Sequence, residues 1–186
     1  MSLFTSNRER RLWTWVLVVV VAIYSTLGLA GTLAEILLDR NLLDNAYVLS
    51  ALLVLVTIVT QGLKTRPGGI EIAVAIGVGV AYLMVIVRMG IPGVERTHLI
   101  EYGVVAVLVF EALMERASNG SRVPVPAALA VVLTVLIGWL DEGIQAILPN
   151  RVYDFNDVIF NALASLMAIT ASLILSWVRQ RVANRK

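Results

Sequence analysis

The chain has 186 residues, of which 59% are hydrophobic and 15% are charged, and its mean hydropathy is +0.85. Soluble domains are usually about 45–50% apolar and about 25% charged, so this chain has too few polar side chains to cover a soluble globule, and the same composition excludes disorder. Because the sequence has no cysteine, disulfides, thiolate metal sites and cysteine nucleophiles are excluded. The composition predicts an integral membrane protein.

Long apolar runs recur along the whole sequence. A helix rises about 1.5 Å per residue and the hydrocarbon core of a bilayer is about 30 Å thick, so runs of about 18 residues or more can cross it. We predict an all-α protein, a six-span transmembrane helix bundle. In chain order the expected spans are Leu12–Ala34, Ala46–Leu63, Ile70–Val87, Thr97–Met114, Val123–Leu140 and Val158–Val178.

The basic residues predict the orientation of these spans. Eleven of the fifteen Lys and Arg lie in the N-terminus, in the connections after spans two and four, and in the C-terminal tail. Since cytoplasmic loops are enriched in Lys and Arg, both termini are expected in the cytoplasm. Trp13, Trp15 and Trp177 fall at the inner edges of spans one and six, as interfacial aromatic residues do. The apolar run of span one continues past Gly28, so we expect an uncleaved anchor.

Polar residues collect on the opposite, non-cytoplasmic side. Ionisable residues at the edges of spans are candidates for function because they are costly near lipid. Three groups stand at the start of span four, at the end of span five, and in the connection leading into span six. They are Arg96, His98, Glu101 and Tyr102; Asp141, Glu142 and Gln145; and Arg151, Asp154, Asp157 and Asn161.

Helical spacing places members of each group on one face, but structural explanations stay open. His98 and Tyr102 are four residues apart, and so are Asp141 and Gln145. Asp154 or Asn156 suits the N-cap of span six, and Asp157 suits its first turn. Glu101 can pair with Arg96 or Arg151.

The adjacent carboxylates of Asp141 and Glu142 are harder to explain structurally. If span five ends there, the helix dipole disfavours them. If the helix continues to Leu148, Asp141 lies about 10 Å below its end. Either arrangement requires a cationic or hydrogen-bonding partner.

The spacing of these residues resembles the signature of the VanZ-like membrane protein family. That family has a DE-x-x-Q segment, a Pro-x-Arg turn, a D-x-x-x-N segment opening its last span, and an earlier span with a basic residue, a histidine and an aromatic residue. The matching segments here run from Asp141 to Gln145, from Pro149 to Arg151, from Asp157 to Asn161, and from Arg96 through His98 to Tyr102. The resemblance covers roughly Arg96 to Ala168.

The resemblance implies an envelope-facing, multi-pass protein of the bacterial inner (cytoplasmic) membrane and does not define a reaction. We divide the chain into an N-terminal three-span segment, 1–95, in which no family signal is evident, a VanZ-like three-span region, 96–178, and a basic cytoplasmic tail, 179–186.

Two hypotheses of function follow. In the first, the extracytoplasmic groups bind or process an envelope lipid or cell-wall precursor. The catalytic candidates are then His98, Glu101, Asp141 and Glu142, and the ligand-binding candidates are Arg96, Tyr102, Gln145, Arg151, Asp157 and Asn161. In the second, the protein is a non-catalytic accessory subunit of a respiratory or photosynthetic membrane complex, and the same groups only join helices.

The expected partners are the lipid bilayer, a lipid headgroup and other membrane subunits; we expect no nucleic acid and no cofactor. His98 and Glu101 facing Asp141 and Glu142 have suitable ligand types for a metal, but a single histidine at the outer edge argues against that third interpretation.

Overall fold

A computed structural model describes residues 3–27, 69–88, 95–148 and 153–184, with isolated positions between 36 and 56. These residues form five continuous helices and no strand, which confirms the all-α class. The helices are α1 Asn7–Thr26, α2 Gly69–Arg88, α3 Glu95–Ser118, α4 Pro126–Gln145 and α5 Phe155–Ala183. The second expected span, Ala46–Leu63, lies outside the described residues except for the isolated helical positions Leu49, Leu52 and Val56.

Local sequence explains where α1 begins. Ser6 is its N-cap, and the Ser6 side chain accepts a hydrogen bond from the Glu9 backbone N–H at 3.0 Å. The Glu9 carboxylate reaches back and accepts from both the backbone N–H and the hydroxyl of Thr5, each at 2.6 Å. This reciprocal arrangement resembles a capping box, which satisfies donors that the first helical turn leaves unpaired.

The last two helices begin by different devices. Pro126 occupies the first turn of α4, where its missing N–H costs nothing. Asp154 is the N-cap of α5, and its carboxylate accepts from the Asn156 backbone N–H at 2.8 Å. Asp157 lies in the first turn, where a negative charge suits the helix dipole. The prediction of Asp154 as a cap is therefore confirmed, and the alternative cap Asn156 is wrong.

Helix α3 lies at the centre of the described bundle and contacts α1, α4 and α5, while α2 packs on α5. Most residues in the middle of α3 are buried on every face of the helix, including Val105, Val107 and Val109. This is expected of a helix that is apolar on every side. Helix α5 contributes small residues to the interior, among them Ala164, Ala168 and Ala171. Small side chains allow helices to approach closely.

Polar contacts join the start of α1 to the end of α3. The Arg8 guanidinium contacts Glu115 at 2.7 Å and Glu111 at 2.8 Å, the Ser6 hydroxyl donates to Glu115 at 2.8 Å, and Arg116 contacts the buried Glu9 at 3.2 Å. We call these residues the α1–α3 clasp. It brings the start of α1 and the end of α3 to one end of the bundle, as the predicted topology requires.

The outer surface of the bundle is largely apolar. Large side chains such as Trp15, Leu17, Leu136, Leu166 and Trp177 are exposed. Among the described residues, Pro126–Gln145 and Phe155–Val182 are the helices whose length and composition allow them to cross a membrane. The helical class is thus established, whereas the six-span bundle is not confirmed.

Candidate functional site

The inward face of α4 is unusually polar. Its buried residues are Ala130, Thr134, Gly138, Asp141, Glu142 and Gln145. Their spacing of three and four residues forms one stripe along the helix. Val132, Leu136, Trp139 and Leu140 lie exposed on the other side. Helix α4 therefore turns its carboxylates towards its neighbours and its aliphatic surface outwards.

The acidic pair lies in the last turns of this helix. Helix α4 ends at Gln145 and is capped by Ala146, so it neither stops at Asp141 nor continues to Leu148. Asp141 and Glu142 are completely buried, and Gln145 is 3% exposed. The dipole at a helix C-terminus disfavours negative charge, so the carboxylates depend on other groups for stabilisation.

Hydrogen bonds supply part of that stabilisation. The Gln145 side-chain amide donates to Glu142 Oε1 at 3.1 Å and, at 3.4 Å, to Asp141 Oδ2. The backbone N–H of Asp154 donates to Glu142 Oε2 at 3.1 Å. Glu142 thereby ties the end of α4 to the start of α5.

Asn161 of α5 faces the same stripe one turn deeper. It is completely buried, and neither its Oδ1 nor its Nδ2 has a hydrogen-bond partner among the residues that the structure describes. Its side chain occupies the space above Gly138. A Cβ added to Gly138 would lie 2.5 Å from Asn161 Nδ2 and 2.9 Å from Asn161 Cβ. The glycine is therefore required for this contact.

Tyrosines from two other helices approach the acidic pair. Tyr102 of α3 is completely buried and interacts with Asp141. Tyr24 of α1 donates its hydroxyl to the carbonyl of Ile137 at 2.7 Å, one turn before Asp141. Asp157 of α5 lies within electrostatic range of Glu142. Three helices thus contribute to what we call the polar cluster, which comprises Tyr102, Asp141, Glu142, Gln145, Asp157 and Asn161.

Six of the residues predicted from the sequence therefore come together. Glu101 is half-buried and directly precedes Tyr102 on α3. Arg96 and His98 belong to the first turn of α3, but their side chains lie outside the description, as does Arg151. Among the described side chains, no group of three His, Cys, Asp or Glu is placed to hold a metal ion.

Two residues at this site, Tyr24 and Gly138, were not predicted from the sequence. Tyr24 stands in an apolar run, where only its hydroxyl distinguished it from its neighbours. Gly138 stands in a second apolar run, and its role follows from its closeness to Asn161. The single signal available was its position, three residues before Asp141 and on the same helical face.

The fold and the cluster define a helical bundle with an apolar exterior and a polar interior at one end. The sequence model of the VanZ/LLP1 family matches residues 15–176, and the chain belongs to this family. The resemblance seen in the sequence starts at Arg96, whereas the family match begins well before that residue. Neither a curated protein nor a solved structure matches the chain.

Proposed function

We propose that the chain is a multi-pass protein of the bacterial inner membrane, with six spans and both termini in the cytoplasm. Its large exposed aliphatic side chains support this, since a soluble surface rarely carries so many together. Helix α5 carries exposed aromatic residues at both ends, Phe155 and Trp177. They lie about 33 Å apart along the helix, close to the thickness of a bilayer core.

We further propose that the polar cluster binds the headgroup of an envelope lipid or of a lipid-linked cell-wall precursor. The observation that carries this proposal is the buried amide of Asn161, which has no partner among the described residues. A buried polar group without a hydrogen bond costs roughly 1–3 kcal/mol. A ligand that completes the hydrogen bonds of the Asn161 amide would explain why this buried polar group is present.

Depth in the membrane also supports a headgroup ligand. The acidic pair follows the exposed Trp139 by two and three residues, and tryptophan is enriched at the level of the headgroups. In this orientation the cluster lies at the extracytoplasmic boundary of the membrane. Polar ligand groups are available there without crossing the hydrocarbon core.

The substitution Asn161→Leu tests this function. Leucine branches at the same atom as asparagine but is larger and cannot bond a ligand, so we expect at least about a fivefold loss of bound lipid. Removal of the unsatisfied buried amide stabilises the lipid-free variant, whereas the larger side chain against Gly138 destabilises it, so its thermal unfolding is measured in parallel and binding is compared only for folded protein. Native mass spectrometry of detergent-purified protein, incubated separately with phospholipids and with a polyprenyl-linked precursor, measures the bound lipid.

Gly143→Ala is the matched control, since it alters the same end of α4 at a position with no atom within 4 Å of the new Cβ. It should bind as the wild type does. Unchanged lipid binding by Asn161→Leu would contradict the proposal. The alternative, an accessory subunit, would be favoured if gentle extraction and native gels showed the chain only within a larger complex.

A further inference from the structure

The buried carboxylate of Glu142 has an electrically neutral set of partners. Its two oxygens accept from the Gln145 side-chain amide and from the Asp154 backbone N–H, and no ion pair to Glu142 is found among the described residues. A buried carboxylate is expensive unless a positive charge or several hydrogen bonds stabilise it. Amide donors stabilise the charge without cancelling it.

A second buried acceptor packs against the same helix, one turn from this carboxylate. Asn161 directs its amide at Gly138, one turn below Glu142, and its Oδ1 accepts no hydrogen bond from the described residues. A carboxylate and an amide oxygen one turn apart form a set of acceptors. These acceptors suit a ligand group that donates hydrogen bonds, and the unpaired Nδ2 of Asn161 leaves one donor for an acceptor on the same ligand.

The charge distribution of the whole chain agrees with a cationic ligand. The expected extracytoplasmic side carries four of the fifteen Lys and Arg but nine of the thirteen Asp and Glu. An acidic surface attracts cations and raises their local concentration. The nine acids are Glu35, Asp39, Asp44, Glu95, Glu101, Asp141, Glu142, Asp154 and Asp157.

We propose that the polar cluster recognises the ammonium group of an amine-bearing headgroup, an inference that rests on the proposed headgroup-binding function. An ammonium group has three donors and no acceptor, which complements Glu142 and the Oδ1 of Asn161. The charge-assisted hydrogen bond to Glu142 provides most of the selectivity. The recognised chemistry is a primary amine, carried either by an aminophospholipid or by a soluble amine.

A graded series of headgroups tests this inference on the unmodified protein. The probes are phosphatidylethanolamine, its N-methyl and N,N-dimethyl derivatives, phosphatidylcholine and phosphatidylglycerol, all with the same acyl chains. Methylation keeps the positive charge and removes donors one by one, whereas phosphatidylglycerol lacks the amine. We expect affinity to fall along the series, with phosphatidylglycerol at least about tenfold weaker than phosphatidylethanolamine. Free ethanolamine, added as a competitor, shows whether the amine alone is enough.

Glu142→Gln provides the matched test in the protein. It keeps the shape of the side chain and removes its charge, so it should abolish the preference for phosphatidylethanolamine over phosphatidylglycerol. Glu115→Gln, at the opposite end of the bundle, should keep that preference. If Glu142→Gln fails to fold, the lipid series on the wild type decides the question alone.

The outcomes separate this inference from the function on which it rests. Equal binding of phosphatidylethanolamine and phosphatidylglycerol, both lost in Asn161→Leu, would overturn amine recognition and leave headgroup binding intact. Absence of binding by every lipid and by the polyprenyl-linked precursor would overturn both. An amine preference that persists in Glu142→Gln would overturn the assignment to this cluster.

Discussion

The position of the Asn161 side chain requires that residue 138 be a glycine. The asparagine side chain occupies the space where a Cβ of residue 138 would stand, 2.5 Å from the nearest atom. Such a distance is far inside van der Waals contact, and close-packed interiors have little room to relax. This contact fixes how α4 and α5 lie against each other next to the acidic pair.

The substitution Gly138→Ala should therefore destabilise the protein. The added methyl group must displace Asn161 or separate the two helices, and overpacking of this kind costs about 1–3 kcal/mol. The midpoint of thermal unfolding in detergent, followed by fluorescence-detected gel filtration, measures the effect.

Gly143→Ala places the same methyl group on the same helix in open space and should not lower the midpoint, since alanine favours helix. Combining Gly138→Ala with Asn161→Ala should restore part of the loss. Equal behaviour of the two single alanine variants would contradict the packing explanation.

Single residues were predictable where local chemistry is decisive. Asp154 as the cap of α5 and the grouping of Asp141, Glu142 and Gln145 follow from spacing along one helix. Tyr24 was not predictable, because its hydrogen bond to Ile137 joins residues 113 positions apart. The sequence alone does not show which helices pack against each other, so a contact between α1 and α4 could not be predicted.

At the scale of elements, the α1–α3 clasp joins two helices by three ion pairs and a hydrogen bond. Burial opposes ionisation of Glu9, but hydrogen bonds from Thr5 and the charge of Arg116 outweigh it, so the pKa of Glu9 lies below its ordinary value of 4.5. Hydrogen bonds from Ser6 and Arg8 lower the pKa of Glu115 from the same value. Both carboxylates are therefore stabilised in their charged form by folding.

These shifts predict a loss of stability in acid. A carboxylate whose pKa is lowered by folding contributes stability above its ordinary pKa and loses that contribution as the pH falls through its folded value. The midpoint of thermal unfolding should thus fall below about pH 4.5. Glu115→Gln should lower the free energy of unfolding at neutral pH by roughly 1 kcal/mol, and its midpoint temperature should fall accordingly. Its midpoint should also depend less steeply on pH in the acid range than that of the wild type.

Asp39→Asn is the control for this measurement, because it removes a carboxylate at an exposed position outside the clasp. The decrease of its unfolding midpoint in acid should match that of the wild type. If the midpoint of Glu115→Gln decreases in acid as steeply as that of the wild type, the clasp does not control stability in acid.

The helices themselves were largely predictable, whereas their contacts were not. Four of the six expected spans coincide with described helices and the first overlaps α1 in part, since apolar runs bounded by Gly, Pro or capping residues are strong local signals. Arg8 pairs with Glu111 and Glu115, which follow it by 103 and 107 residues, and this pairing was not predictable from the sequence. That pairing depends on the packing of α1 against α3.

At the scale of the whole molecule, the predicted topology gives the two ends of the bundle opposite charge. The expected cytoplasmic side holds eleven of the fifteen cations, and the opposite side holds nine of the thirteen acids. The excess of cations on one expected side nearly cancels the excess of acids on the other, which leaves the formal net charge of +2. In that topology the clasp lies at the expected basic end and the polar cluster at the expected acidic end, so we predict that the cluster faces the extracytoplasmic surface.

Cysteine accessibility tests this claim most directly, because the chain has no cysteine of its own. Ile147→Cys places one thiol just beyond the acidic pair, at a position 85% exposed, and Ser118→Cys places one at the exposed end of α3, beside the clasp. With a membrane-impermeant maleimide, we predict labelling of Ile147→Cys in intact cells and of Ser118→Cys only after the membrane is opened. The reverse pattern, or labelling of both only after lysis, would contradict an extracytoplasmic position of the polar cluster.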